Sequence, residues 1–448
     1  MASPDNSKPA ATTGEAGPAT VTLATATALA VADMIGIGVF TSLGFQVRDL
    51  PTGFSVVTLW TVGGIVALCG ALSYAELATA LPRSGGEYNF LSRIYHPALG
   101  FLAGWISATV GFAAPVALAA MAFGEYFAGV FPGAPQVWLA LASVWGVTLI
   151  LLSGAKPGAL FTNVATFLKV ALILALIFCG LAFGTPQPIS FAPSSSDLSY
   201  IISAPFAIGL MYVMYSFSGW NAATYIADEI KDPERTLPPA LVAGVIIVMV
   251  LYVALNAVFL YTTPMERLAG QINVGLIAGE HIFGPGGGRI VGGLICFGLI
   301  SAITAMMWIG PRVTMVMGED LRALSFFAKK SSSGVPARAL VLQLAVATFL
   351  LLTQSFERVL EFVQFSLLSC SLLAVIGVIV LRIRQPHLPR PFRVWAYPLT
   401  PLIFGVVTLF ILVYLVREKP VQSLAGMALM ATGLVVYALS PKRGTSSG

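Results

Sequence analysis

The chain has 448 residues, of which 57% are hydrophobic and 10% charged, whereas an ordinary soluble domain carries roughly a quarter charged residues. That balance excludes a soluble domain and reads as an integral membrane protein. The formal net charge is +5; its distribution over the loops makes it a topology signal, so no nucleic-acid partner is needed to account for it.

Residues 1–18, MASPDNSKPAATTGEAGP, are small and polar and carry no basic run leading into a cleavable apolar segment. They read as a disordered cytoplasmic tail, and the first span is expected to be retained. Hydropathy then predicts about twelve spans of the length a helix needs to cross a bilayer. They fall at 20–43, 53–80, 98–129, 136–153, 159–183, 199–229, 238–262, 287–318, 337–354, 357–382, 397–416 and 421–440, with 441–448 a cytoplasmic C-terminal tail.

The first span, VTLATATALAVADMIGIGVFTSL, is interrupted at Gly36-Ile37-Gly38 and contains Asp33. Two glycines around one residue weaken the helix, and unwound backbone at membrane depth survives only where it is buried in protein or lines a cavity. Asp33 shares a helical face with the break. A glycine-rich packing face with a paired carboxylate is the alternative reading. The fifth span places Lys169 far from either end, in FTNVATFLKVALILAL; a charge at that depth is by default a functional residue. The sixth contains YSFSGWNAATY (residues 215–225) between an apolar run and the charged DEIKDPER, so it too should be discontinuous.

Breaks in spans one and six fit two five-span copies of opposite orientation, residues 20–183 and 199–383, with residues 397–440 forming two peripheral helices. With the N-terminus inside, the cytoplasmic side collects Lys8, Arg83, Arg93, Lys156, Lys231, Arg235, Arg322, Lys329, Lys330, Arg338, Arg382, Arg384, Arg390, Arg393, Lys442 and Arg443. The outer loops hold Arg48, Arg267, Arg289, Arg358, Arg417 and Lys419. Cys69, Cys179, Cys296 and Cys370 lie in apolar spans and imply neither a disulfide framework nor a metal site. The histidines His96, His281 and His387 lie in or beside loops without ligand spacing, which argues against a membrane enzyme. An ion channel does not predict two broken helices at matching repeat positions.

YAELATALPRSGGEYNF (residues 74–90) closely resembles the signature after the second span of amino acid/polyamine/organocation (APC) superfamily permeases. IGIGVF (35–40), FSGWNAATYIADEIKDPERTLPPA (217–240), PRVTMVMGED (311–320) and VPARAL (335–340) resemble further motifs of that family, closest to its L-type amino acid transporter branch and bacterial relatives. The resemblance implies an all-α LeuT-type fold with a five-plus-five inverted repeat, and a secondary transporter working by alternating access. It implies that the amides of Gly36, Ile37 and Gly38 hold a substrate carboxylate. Carbonyls of Met34, Tyr215 and Ser218 then hold its ammonium, with Ile35, Ser216, Phe217, Gly219, Trp220 and Asn221 beside them.

Ile37 departs from the serine usual between these glycines, which leaves only backbone donors. A lysine at the position of Lys169 places its amine where sodium-coupled members of the fold bind sodium, so no sodium site and no cofactor is expected. Its alternative role is a pin between first-span carbonyls and Ser301 or Thr304. Asp33 also departs from the family; it is expected either to pair with Lys169 and take part in proton coupling, or to face the substrate and select a second amino group.

Glu76 and Glu87 are expected to join Arg83, Arg93 or the loop after span six, and Arg312 to join the cluster Asp228, Glu229, Lys231 and Arg235. Phe112, Tyr215 and Met307 suggest an apolar pocket, hence a neutral amino acid, with a cationic amino acid or a polyamine as the alternative. A non-transporting sensor on the same fold stays open. The loop VFPGAPQV (130–137) lacks the cysteine that joins L-type transporters to a heavy chain, so no disulfide-linked partner is expected. Lean loops fit a bacterial inner-membrane protein, driven by exchange or by protons, of undetermined oligomeric state.

Overall fold

The computed structural model describes residues 21–82, 85–154, 158–195, 197–224, 230–320, 322–331 and 334–440. Both predicted tails, Arg83, Lys156 and the pair Asp228 and Glu229 lie outside the described residues.

The first span is two helices, α1 (Leu23–Met34) and α2 (Gly38–Gln46), bent by 41° across a three-residue break. α3 (Gly53–Ala80) follows, then the short α4 (Gly86–Ile94). The third span is α5 (Pro97–Ile106), a π-helical turn at Ser107–Gly111 and α6 (Ala113–Val130). α7 (Gln136–Leu152) and α8 (Ala159–Phe183) complete the first predicted repeat. After the short α9 (Asp197–Ile201) come α10 (Ala204–Ser216), α11 (Pro233–Thr262), α12 (Met265–Leu268) and α13 (Val274–Asp320). α14 (Ala337–Leu352), α15 (Phe356–Arg384), α16 (Leu399–Glu418) and α17 (Pro420–Leu439) finish the chain.

The helix starts follow local chemistry. Thr22, Thr52, Ser203 and Ser355 each offer a side-chain oxygen to an amide of the first turn, which satisfies a donor that the helix itself cannot. Pro97, Pro233 and Pro420 occupy the opening turn, where a preset φ helps and a missing N–H costs nothing.

Among the described residues, eight helices are long and apolar enough to span a bilayer, or nine if α1 and α2 form one span. The shorter apolar helices α7, α10 and α14 occupy the fourth, sixth and ninth predicted positions. The fold is an all-α, multi-pass membrane protein. One predicted loop is corrected: residues 274–283 are helical and run into the eighth span through a kink at Gly284, whose φ is 77°. Pro285 follows, and the two residues together punctuate an apolar run that hydropathy had cut short.

Two ends of the bundle can be defined. At one, Lys231 donates its amide to the Val21 carbonyl at 3.1 Å, so the described chain starts beside the head of α11. At the opposite end, Gly270 donates to the Gly44 carbonyl at 2.7 Å and Arg48 pairs with Glu357 at 3.0 Å. We call these the terminal and distal ends. Every residue of α2 is buried, whereas α1 buries only Ala26, Ala30 and Met34.

Candidate functional site

Helix α1 stops at Met34, and the chain folds back on itself for one tight turn in which the Gly36 amide donates to the Met34 carbonyl at 2.8 Å. α2 restarts at Gly38 with Ile37 as its N-cap, a residue without a side-chain acceptor. Phe40 already donates to the Ile37 carbonyl, while among the described residues the amides of Ile37 and Gly38 meet no backbone acceptor. The start of α2 therefore presents unmet donors at the positive end of a helix dipole, the usual chemistry for receiving an anion.

The two glycines differ. A Cβ on Gly38 would lie 2.6 Å from the Ser216 Cα and 2.5 Å from its Oγ, so Gly38 is where the first and sixth spans cross. A Cβ on Gly36 would meet nothing closer than 3.9 Å; that position is open.

In the sixth span α10 ends at Ser216, and the chain continues through a run of tight turns. Ser218 donates to the Tyr215 carbonyl at 2.9 Å, Trp220 to Phe217 at 3.2 Å and Ala222 to Gly219 at 2.9 Å. Gly219 has φ of +102°, a conformation that side chains disfavour. The predicted second break is thus present, and its continuation at residues 225–229 lies outside the described residues. Tyr215 is buried. Asn221 is half-buried and its carbonyl caps Thr224. Trp220 packs edge-on against Tyr74, with centroids 4.7 Å apart, and against Phe404 at 6.3 Å, so it wedges the turn into α3 and α16.

Sequence reasoning missed the group that joins the breaks. The Tyr252 hydroxyl on α11 lies 2.6 Å from the Met34 carbonyl and 3.2 Å from the Ser216 carbonyl. Ser42 and Ser216 add a hydroxyl contact at 3.0 Å. The Tyr126 hydroxyl donates to the Phe40 carbonyl at 2.7 Å and accepts from the Gly275 amide at 2.9 Å. The available signal was a phenol inside an apolar span, which needs a partner once buried.

Lys169 donates to the Ile35 carbonyl at 2.8 Å and to the Ala32 carbonyl at 3.4 Å. These oxygens belong to the frayed last turn of α1, where unpaired carbonyls favour a cation. The lysine stem lies along Gly298 of α13, whose added Cβ would be 3.2 Å from the Lys169 Cγ. Thr304 bonds the Ile300 carbonyl instead of Lys169.

Asp33 and Lys169 form no ion pair among the described residues; the lysine charge acts on Asp33 only through space. The Asp33 carboxylate turns to the sixth-span break, where Oδ2 lies 2.6 Å from the place a Gly219 Cβ would take. Asp33 is exposed although it sits beside the two breaks.

Several other expectations are corrected. Glu76 is buried and takes a bidentate Arg382 at 2.8 and 2.6 Å, the Val394 amide at 2.7 Å and Arg390 at 3.6 Å. Its partners come from the end of α15 and the segment before α16, which fold over α3. Glu87 accepts hydrogen bonds from Tyr74 and Ser371 and has no ion pair among the described residues; burial raises its carboxyl above the ordinary range, with the two hydroxyls opposing the shift. Arg312 lies over the Trp308 ring at 4.1 Å. Met307 lines a small cavity with Leu151, Trp308 and Arg312, separate from a cavity of about 10 Å³ that joins Gly36 and Ile37 to Lys169 and Gly298. Phe112 ends the π-helical turn of the third span and rests against Gly310.

Comparison with known proteins places this geometry. The profile of the family described as "Amino acid permease" matches residues 21–439. The chain is 27% identical over 420 residues to the b(0,+)-type amino acid transporter 1 of Mus musculus, covering 91% of this chain and 85% of that one. It is 27% identical to the cystine/glutamate transporter of Homo sapiens over 438 residues, covering 94% and 84%. It is 26% identical to the serine/threonine exchanger SteT of Bacillus subtilis over 428 residues, covering 93% and 96%. These relatives are transporters and exchangers rather than enzymes. With two broken spans meeting at Gly38 and Ser216 and a family match over nearly its whole length, the chain belongs to the amino acid permeases of the APC superfamily, related to their L-type branch.

Proposed function

We propose that the protein moves amino acids across the membrane by alternating access, binding the zwitterionic head group between the breaks of spans one and six. The observation that carries this reading is the unmet pair of amides at Ile37 and Gly38, facing an open position at Gly36. They receive the carboxylate as a helix N-terminus receives an anion. The ammonium lies toward the Met34, Tyr215 and Ser218 end of the gap. Tyr252 acts as a positioning residue, because its hydroxyl fixes one break relative to the other.

Transport is sodium-independent in this reading. The Lys169 ammonium already occupies the Ala32 and Ile35 carbonyls, and a second cation there would face its repulsion. Exchange is favoured by the printed name of the bacterial relative, a serine/threonine exchanger. A neutral cargo is favoured by the apolar ring of Tyr215, buried beside the sixth-span break. The loop charges support cytoplasmic termini in a bacterial inner membrane, and the cysteine-free loop 130–137 supports action without a disulfide-linked heavy chain.

Uptake of radiolabelled neutral amino acids into proteoliposomes tests this. We expect uptake in sodium-free buffer, accelerated at least several-fold by unlabelled amino acid inside. Binding without flux identifies a sensor, and a strict sodium requirement overturns the role given to Lys169.

A further inference from the structure

We propose that the Asp33 carboxylate is the direct counter-ion of the substrate α-ammonium group; this rests on the transport reading above and specifies how its amine is recognised. An ammonium needs acceptors for three N–H groups, and the backbone carbonyls at the breaks are largely engaged already. Met34 O accepts from the Gly36 amide at 2.8 Å and from the Tyr252 hydroxyl at 2.6 Å, which uses both of its lone pairs. Tyr215, Phe217 and Gly219 carbonyls accept from Ser218, Trp220 and Ala222, and Ile35 accepts from Lys169.

Asp33 is the charged acceptor still free beside them. It has no hydrogen bond or ion pair among the described residues, its side chain is open to the gap, and its Oδ2 lies against Gly219 of the opposite break. Lys169 makes no ion pair with it among the described residues, its ammonium being turned to the Ala32 and Ile35 carbonyls.

The energetics agree. An unpaired carboxylate at membrane depth is costly, and a cationic group arriving with the cargo removes that cost through charge-assisted hydrogen bonds, which are roughly twice as strong as neutral ones. Asp33 on the last turn of α1 and the Ile37 and Gly38 amides at the start of α2 stand on either side of one three-residue break. The ammonium of an α-amino acid is thereby assigned to Asp33 and its carboxylate to the two amides. The absence of a side chain at Gly219 keeps the carboxylate in this place. Asp33 brings a full negative charge to the amine, so cargo must carry a protonated amine next to its carboxylate.

Two experiments test the assignment. Asp33→Asn keeps the shape and one acceptor but removes the charge. In proteoliposomes, at equal reconstitution, its KM for an amino acid that the wild type carries should rise at least tenfold with a smaller change in the maximal rate. A KM within twofold of wild type overturns the assignment and leaves the transport reading intact. So does a variant that loses only pH dependence, or one that changes preference from dibasic to neutral cargo. Failure of the wild type to carry any amino acid counts against the transport reading instead. The second experiment needs no variant: Asp33 of the wild type is labelled with a water-soluble carbodiimide and an amine nucleophile and followed by peptide mass spectrometry. Saturating amino acid should protect it at least fivefold, and unchanged labelling overturns the assignment.

Discussion

At the scale of the residue, Gly36 and Gly38 look alike in the sequence and do different work in the fold. Gly38 sits against the Ser216 backbone, and no rotamer change can clear a Cβ that falls 2.6 Å from a Cα. Gly38→Ala should therefore destabilise the protein by about 1–3 kcal/mol or more, as overpacked sites do, with a lower thermal unfolding midpoint in detergent. Gly36→Ala has room in the protein, so its midpoint should stay near wild type while amino acid uptake falls severalfold, because the new methyl fills the gap left for cargo. Equal thermal losses for the two variants would remove this distinction. The glycine pair, Lys169 and the small residues of the sixth span were legible because each is expensive in a membrane helix unless it serves something. The direction of Asp33 was not legible. Lys169 was its only charged neighbour in the sequence argument, and of the two roles open to the lysine the one at the first-span carbonyls is the one the fold realises.

At the scale of the element, the apolar lengths set by bilayer thickness located the eight long apolar helices and the bent pair α1 and α2 found among the described residues. The helical stretch at 274–283 and the π-helical turn at 107–111 escaped, because tertiary neighbours and not local periodicity decide them. The second break was readable from composition, but the link between breaks was not. Tyr252 lies on α11, two hundred residues from Met34 in sequence, and a tyrosine in an apolar span has many places to turn. Tyr252→Phe removes the hydroxyl while keeping the ring, which packs edge-on against Trp60 and Phe217. Interhelical hydrogen bonds in membranes are worth about 0.6–2 kcal/mol, so the variant should lose a similar amount of thermal stability. It should also lose affinity for cargo, read as a raised KM. An unchanged KM would show that the breaks hold their relation without the hydroxyl.

At the scale of the molecule, the two ends are held by different chemistry. The distal end uses the Arg48 to Glu357 pair, the Lys419 to Glu361 pair at 2.6 Å and the stack of Phe45 on Tyr212 and Phe356. The terminal end is fastened through Glu76, which binds the segment between α15 and α16 across α3. Glu76→Gln leaves the Arg382 and Arg390 guanidiniums without their counter-charge. Breaking a buried pair on one side costs about 3–5 kcal/mol, less here for the part of Arg382 that reaches solvent. The variant should show a clearly lowered unfolding midpoint and early proteolysis within residues 385–398. The sequence marked Glu76 as structural but could not name Arg382, because a partner three hundred residues away is brought in by the fold alone. The same whole-molecule view bears on the Lys169 ammonium at the end of α1. A cation anchored to α8 is a fixture and not a passenger: it stays with the protein when cargo leaves, and a gradient can act through it only by way of a proton that it takes up and gives back. In the exchange proposed above, the net direction of flow is set by the amino acid pools on the two sides of the membrane.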